Sequence, residues 1–125
     1  MSVGRSDEAW TFAKEARETF EKAGDRQGTA DALRRLAGIA RFQGRLEDAQ
    51  RLAGRALITF ERVGNRRGEA QAHGELGESK RLGADYAGAE ENYRTARDIY
   101  RDIGSRQTLT MDLNLTLLLL LRERW

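Results

Sequence analysis

Few side chains in this 125-residue sequence have the types and spacing that chemistry requires. His73 is the only histidine and there is no cysteine, which excludes multi-histidine zinc sites, thiol catalysis and cysteine-based metal sites. Carboxylates are adjacent at Glu47-Asp48 and Glu90-Glu91, but acid–base catalysis needs two carboxyl groups that face each other across a pocket. Adjacent residues of a helix point in different directions. We therefore expect no enzyme activity, no metal and no organic cofactor.

Binding of phosphate groups is also disfavoured. The segment from Gly74 to Gly77 has no strand pattern before it and no Lys-Ser/Thr after it, so it does not form a phosphate loop. The chain has 22 basic residues, 19 of them arginine, and 20 acidic residues, for a net charge of +2. Acids alternate with arginines, as at Asp31 and Arg34, whereas nucleic acids bind surfaces of one sign. We expect no nucleic acid as a partner.

Nothing in the sequence predicts a membrane partner or export. The longest apolar run is 117–121, far shorter than the roughly 20 residues that cross a bilayer. The first eight residues lack the apolar segment of a secretory signal. We expect a cytoplasmic protein.

An internal repeat of 40 residues predicts the elements that position these side chains. Gly24-Asp25-Arg26 recurs as Gly64-Asn65-Arg66 and as Gly104-Ser105-Arg106. The glycine can end one helix in the left-handed conformation, and the next residue can cap the following helix. Further breaks fall at 43–45 and 83–85. The pattern predicts helices over residues 7–23, 26–43, 46–63, 66–83, 86–103 and 106–124.

The predicted helices each have one apolar face. In the second helix Leu33, Leu36, Ala37 and Ala40 follow the spacing of a helical stripe. His73 aligns with Leu33 across the repeat, so we interpret it as a partly buried packing residue rather than a general base or ligand. Turns this short place successive helices antiparallel, and stacking of the helix pairs buries their faces in one core.

These residues resemble tetratricopeptide repeats. The residues that carry the resemblance in one unit are Leu36-Ala37, Gly44, Leu46, Ala49 and Ala56, and in the next they are Leu76-Gly77, Tyr86, Ala89, Tyr93 and Ala96. The period of 40 residues, against the usual period of about 34, and the absence of proline are similar to longer-repeat members such as kinesin light chains and bacterial signalling proteins. The resemblance implies an all-α solenoid of about six antiparallel helices in a right-handed superhelix.

The resemblance also implies the domain organisation and the function. Residues 1–125 form a single repeat domain, with a partial unit at 5–24, whole units at 25–64 and 65–104, and a partial unit at 105–125. We expect a non-catalytic protein–protein interaction or scaffold module, or alternatively a self-associating helical regulatory domain of a larger bacterial signalling protein. The first helix of each unit lines a concave groove for a protein or peptide partner, which we expect to be acidic or mixed in charge. The groove residues are Arg34, Arg41, Phe42, Gln71, Glu78, Arg81 and Asn114.

The last helix is unusually rich in leucine. Leu113, Leu117 and Leu120 align with the core positions Leu33, Ala37 and Ala40, whereas Leu115, Leu118, Leu119 and Leu121 align with small, polar or charged residues, apart from Ile39. The second set predicts an exposed apolar stripe, and stripes of a few hundred Å² usually mark an interface. We therefore expect a homodimer or higher assembly through Leu115, Leu118, Leu119, Leu121 and Trp125, with a truncated array end as the alternative explanation.

Overall fold

Six helices follow one another along residues 3–123, the part of the chain that the computed structural model describes. They are α1 (Val3–Lys22), α2 (Arg26–Phe42), α3 (Leu46–Val63), α4 (Arg66–Leu82), α5 (Tyr86–Asp102) and α6 (Gln107–Glu123). No strand occurs within these residues. The prediction of an all-α solenoid is confirmed, and the largest difference in a helix boundary is at the start of α1.

The turns form as the capping residues predict. The side chains of Asp25 and Asn65 each accept a hydrogen bond of 2.8 Å from the backbone N–H three residues later. Gly64 ends α3 in the left-handed conformation, with φ of 72°. In the turn after α4 the left-handed residue is Ala84 rather than Gly83, with φ of 64°. Each turn reverses the chain within a few residues, so consecutive helices pack against each other, and α2 also contacts α4.

Two clusters of buried residues form the core. The first joins α2 and α3 and includes Leu33, Ala37, Ala49 and Phe60. The second joins α5 and α6 and includes Tyr93. Alanine at the contact positions lets the helix axes approach closely, and larger side chains fill the space beside them.

An aromatic ring at the end of a second helix packs on a glycine of the next first helix. Phe20 lies against Gly28, and Phe60 lies against Gly68. A methyl group added to Gly28 would lie 2.3 Å from the Phe20 ring, and one added to Gly68 would lie 2.2 Å from the Phe60 ring. These glycines are therefore required by close packing.

The sequence prediction for α6 is wrong in its helical phase. Leu115 and Leu118, expected to be exposed, are buried with Met111 against α5. Leu113, Leu117 and Leu120, expected in the core, are more than half exposed. Leu119 is exposed as expected, and Leu109 is exposed as well. Leu121 is half-buried, and Trp125 lies outside the described residues.

The physical reason is a rotation of α6 by about one residue. The repeat aligns Asp112 and Thr116 with Ala72 and Leu76 of α4, which pack on the core that α4 shares with α3. Burying Asp112 would remove a charge from water at high cost, so the helix buries the neighbouring Met111, Leu115 and Leu118 instead. An ion pair between Arg122 and Glu90 ties the end of this rotated helix to α5.

Candidate functional site

The surface formed by α2, α4 and α6, called here the inner face, carries a linked set of charged side chains. Arg41 of α2 donates from Nε to Oε2 of Glu75 of α4 over 3.1 Å. Gly38 lies beside this pair, and a methyl group there would be in ordinary van der Waals contact with Glu75 Oε1, at 3.7 Å. This ion pair holds α2 and α4 together across the inner face.

Glu78 is the centre of the next group along α4. Its Oε2 accepts a hydrogen bond from Arg81 over 2.8 Å, and its Oε1 accepts one from the hydroxyl of Tyr93 on α5. Burial acts to raise the pKa of Glu78, but the hydrogen bonds from Arg81 and Tyr93 outweigh it and hold that pKa below its ordinary value. Burial and then the adjacent carboxylate raise the pKa of Tyr93. At neutral pH the group is therefore a carboxylate, a guanidinium and a neutral phenol.

A cleft opens beside this group, between α4, α5 and α6. Its volume is about 860 Å³. Glu78, Arg81 and Tyr93 form its polar wall, and Leu117 and Leu121 belong to its apolar wall on α6. The complete lining is Glu78, Arg81, Tyr93, Asn114, Leu117, Leu120, Leu121 and Glu123. Such a cleft can bind an extended segment that has both apolar and polar side chains.

Comparison with known families decides what kind of array this is. A family model for the tetratricopeptide repeat matches residues 28–102, which is more than half of the chain. The chain belongs to the tetratricopeptide repeat family. A search of the curated proteins finds no significant match. Tetratricopeptide repeats generally mediate protein–protein interaction or scaffolding, and members of the family are typically non-catalytic.

The predicted groove residues of this tetratricopeptide array fall into three groups. Glu78, Arg81 and Asn114 line the cleft between α4 and α6. Arg41 and Phe42 line a second cavity, of about 680 Å³, between α1 and α2. Arg34 and Gln71 line neither of these two cavities.

Arg34 and Gln71 sit differently on the tetratricopeptide scaffold. Arg34 lies 3.8 Å from Asp31 on its own helix, and its Nε is buried without a hydrogen-bond partner. Gln71 is half-buried on α4. The arrangement of Arg34 is that of a packed helix-surface side chain.

The arginines predicted for the groove are balanced by acids in the structure. Arg41 pairs with Glu75, and Arg81 pairs with Glu78. The predicted groove residues included Glu78 but not Glu75, whose pairing with Arg41 joins two helices. A strongly acidic ligand would therefore compete with these internal partners, whereas a ligand of mixed charge would not.

His73 lies within the array as a packing residue. Its Nδ1 is 3.1 Å from the side-chain amide nitrogen of Asn92, which can donate to Nδ1 when the ring is neutral. Burial lowers the pKa of His73, although the nearby Glu61 and Glu69 act against that effect. In residues 3–123, no three His, Asp or Glu side chains are grouped as metal ligands, and no helix is long and apolar enough to cross a membrane.

Glu75 on the inner face and Tyr93 of α5 are among the site residues that sequence reasoning missed. A signal for Tyr93 was available: it aligns with Ala53, and the residue it contacts, Gly77, aligns with Ala37. A methyl group on Gly77 would lie 2.7 Å from the Tyr93 ring. The alanine pair of the first unit is thus replaced by a glycine–tyrosine pair, in which the glycine makes room for the ring.

Proposed function

We propose that this chain is a non-catalytic interaction module that binds a segment of a partner protein in the cleft between α4 and α6. The observation that carries the proposal is the pairing of an apolar wall on α6 with the Glu78–Arg81–Tyr93 group opposite it. The same cleft contains three of the residues that the sequence assigns to the groove. Membership of the tetratricopeptide repeat family supports a protein as the partner.

The chemistry of the cleft favours a segment of mixed character. Leu117 and Leu121 offer apolar contact, and the amide of Asn114 can both donate to and accept from a peptide backbone. Within residues 3–123 the side chain of Arg81 has one carboxylate partner, Glu78, so a second carboxylate from the ligand can share the guanidinium. We therefore propose a segment with one acidic residue beside apolar ones.

The test is a selection of displayed random peptides on the immobilised chain, followed by titration of the selected peptides. Arg81→Gln removes a charge-assisted hydrogen bond of about 1.5–3 kcal/mol, which corresponds to roughly tenfold weaker binding or more. The matched control is Arg51→Gln on α3, because Arg51 also pairs with a carboxylate three residues away, at 3.0 Å. We expect the control to bind as the unchanged chain does. Equal affinities of the two variants would exclude the cleft.

Self-association is the second candidate function, and the exposed leucines of α6 favour it. Leu109, Leu113, Leu117, Leu119 and Leu120 leave one side of the helix apolar and open to water. Contiguous apolar surface of this kind usually marks an interface. We propose a homo-oligomer through these leucines, in place of the buried Leu115 and Leu118.

We also propose that the chain does not bind nucleic acid and that it is located in the cytoplasm. The mixed charge of the chain supports the absence of nucleic-acid binding, which a titration with bulk DNA at low salt would test. A cytoplasmic location is testable with a fluorescent fusion.

A further inference from the structure

Two leucines of α6 belong to two surfaces at once. The leucine stripe, which consists of Leu109, Leu113, Leu117 and Leu120, follows the three- and four-residue spacing of one helix face. All four side chains are more than half exposed. Leu117 and Leu120 also line the cleft between α4 and α6. The stripe therefore shares two of its four side chains with the α6 wall of the cleft.

The leucine stripe lies on the side of α6 that faces away from α5. Leu115 and Leu118 are buried against α5 and fix the orientation of the helix. Leu113 and Leu120 each lie two positions from one of these buried residues, which places them on the opposite side of a helix with about 3.6 residues per turn. The exposed side of the stripe is thus set by the observed packing of α6 on α5.

The charges on α6 suit contact of the leucine stripe with a second copy of itself. Asp112 is the only charged residue between positions 107 and 121. It forms an ion pair of 3.9 Å with Arg97 of α5. A two-fold contact sets the same patch of both copies face to face, and here that patch brings no unpaired like charges together. Leucine packed on leucine also leaves no polar group without a partner.

We propose that self-association and peptide binding exclude each other, because a second copy that covers the leucine stripe also covers Leu117 and Leu120 of the cleft. The inference rests on the two functions proposed above and adds the coupling between them. Each leucine side chain can be covered by one neighbour at a time. The associated form is therefore free of peptide, and the peptide complex is monomeric. Such coupling is reciprocal, so each partner weakens the binding of the other.

The coupling makes the apparent affinity for a peptide depend on the concentration of the chain. Only the monomer has an open cleft, so the apparent dissociation constant is the intrinsic constant divided by the monomeric fraction. Where about nine-tenths of the chain is associated, a peptide should therefore bind about tenfold more weakly than it binds to the monomer.

The experiment is to titrate a selected peptide into the 125-residue chain at low and at high micromolar concentration, with light scattering to follow the mass. We expect the associated form to disappear as peptide is added. Leu109→Glu changes the stripe outside the cleft and should be monomeric, with the same peptide affinity at both concentrations. The matched control Ile58→Glu changes an exposed residue of α3 and should behave as the unchanged chain does. Leu113→Glu serves as a second stripe variant, and circular dichroism checks that each variant is folded.

The contrary results are distinguishable. An associated form that carries bound peptide, with an affinity independent of chain concentration, would overturn the exclusion alone. Loss of peptide binding in the folded Leu109→Glu monomer would also overturn it, because the stripe would then belong to the peptide site. A monomeric unchanged chain at high micromolar concentration would overturn self-association and the exclusion with it. Equal peptide affinities of Arg81→Gln and Arg51→Gln would instead overturn the cleft as the binding site.

Discussion

At one contact between helices, the second unit of this array has polar residues where the first unit has leucines. The first unit has Leu33 and Leu52 where the second has His73 and Asn92, and both pairs lie between a first and a second helix. The alignment of His73 with Leu33 correctly indicated a packing position. The partner Asn92 could not be predicted, because a 40-residue alignment compares equivalent positions and does not show which residues touch.

The glycines under the aromatic rings give a prediction at this scale. Gly68→Ala should lower the free energy of unfolding by about 1–3 kcal/mol, because the Phe60 ring is fully buried and cannot move aside. Gly54→Ala on α3 is the control, since a methyl group there meets nothing within 4 Å. The control should raise stability by about 0.5–1 kcal/mol. Urea unfolding followed by circular dichroism measures both, and equal stability of the two variants would contradict the packing described.

The pH dependence of stability gives a second prediction. The pKa of His73 is lower in the folded chain, mainly through burial, so the unfolded chain binds the proton more tightly. The free energy of unfolding should therefore be unaffected by His73 above its ordinary pKa, about 6.5, and should decrease as the pH falls below it.

The variant His73→Leu/Asn92→Leu restores the apolar pair of the first unit and should remove this part of the pH dependence. Its stability at pH 7 should be equal to that of the unchanged chain or higher by about 1 kcal/mol, since both polar partners are removed together. Denaturant unfolding at pH 7 and pH 5 provides the comparison. An undiminished loss of stability at pH 5 would show that other groups cause it.

Helix boundaries in this chain are encoded locally, whereas the orientation of a helix about its axis is not. The capping residues Asp25 and Asn65 act on backbone groups a few positions away, so the sequence predicted the turns correctly. The orientation of α6 depends on which of its faces is least costly to bury against α5. The repeat alignment predicted the wrong face because it carried over the phase of α2 without weighing Asp112 and Thr116.

The rotation of α6 predicts different costs for two leucines of the same helix. Leu118→Ala should destabilise the chain by about 2–5 kcal/mol, since Leu118 is fully buried. Leu109→Ala should change stability by less than about 0.5 kcal/mol, because Leu109 is exposed. Thermal unfolding at low protein concentration separates these effects from self-association. A larger cost for Leu109→Ala than for Leu118→Ala would contradict the burial described for α6.

At the scale of the whole molecule, each helix packs mainly on the helices next to it in sequence, so the array presents a long surface rather than one enclosed pocket. The sequence could predict that such a surface exists, because the periodic residues that build it are local. It could not predict that Arg41 would pair with Glu75 of the next unit, or that the cleft would open between α4 and α6. Those features arise from contacts between units.

The most direct test of the account is to map a selected peptide by nuclear magnetic resonance of the isotope-labelled chain. The account predicts that the backbone amide signals shifted by the peptide cluster around Glu78, Arg81 and Asn114 and on the adjoining turn of α6. Signals of the outer surface of α3, such as those of Arg51 and Ile58, should stay in place. Shifts concentrated on α3 or α5 away from the cleft would contradict the account.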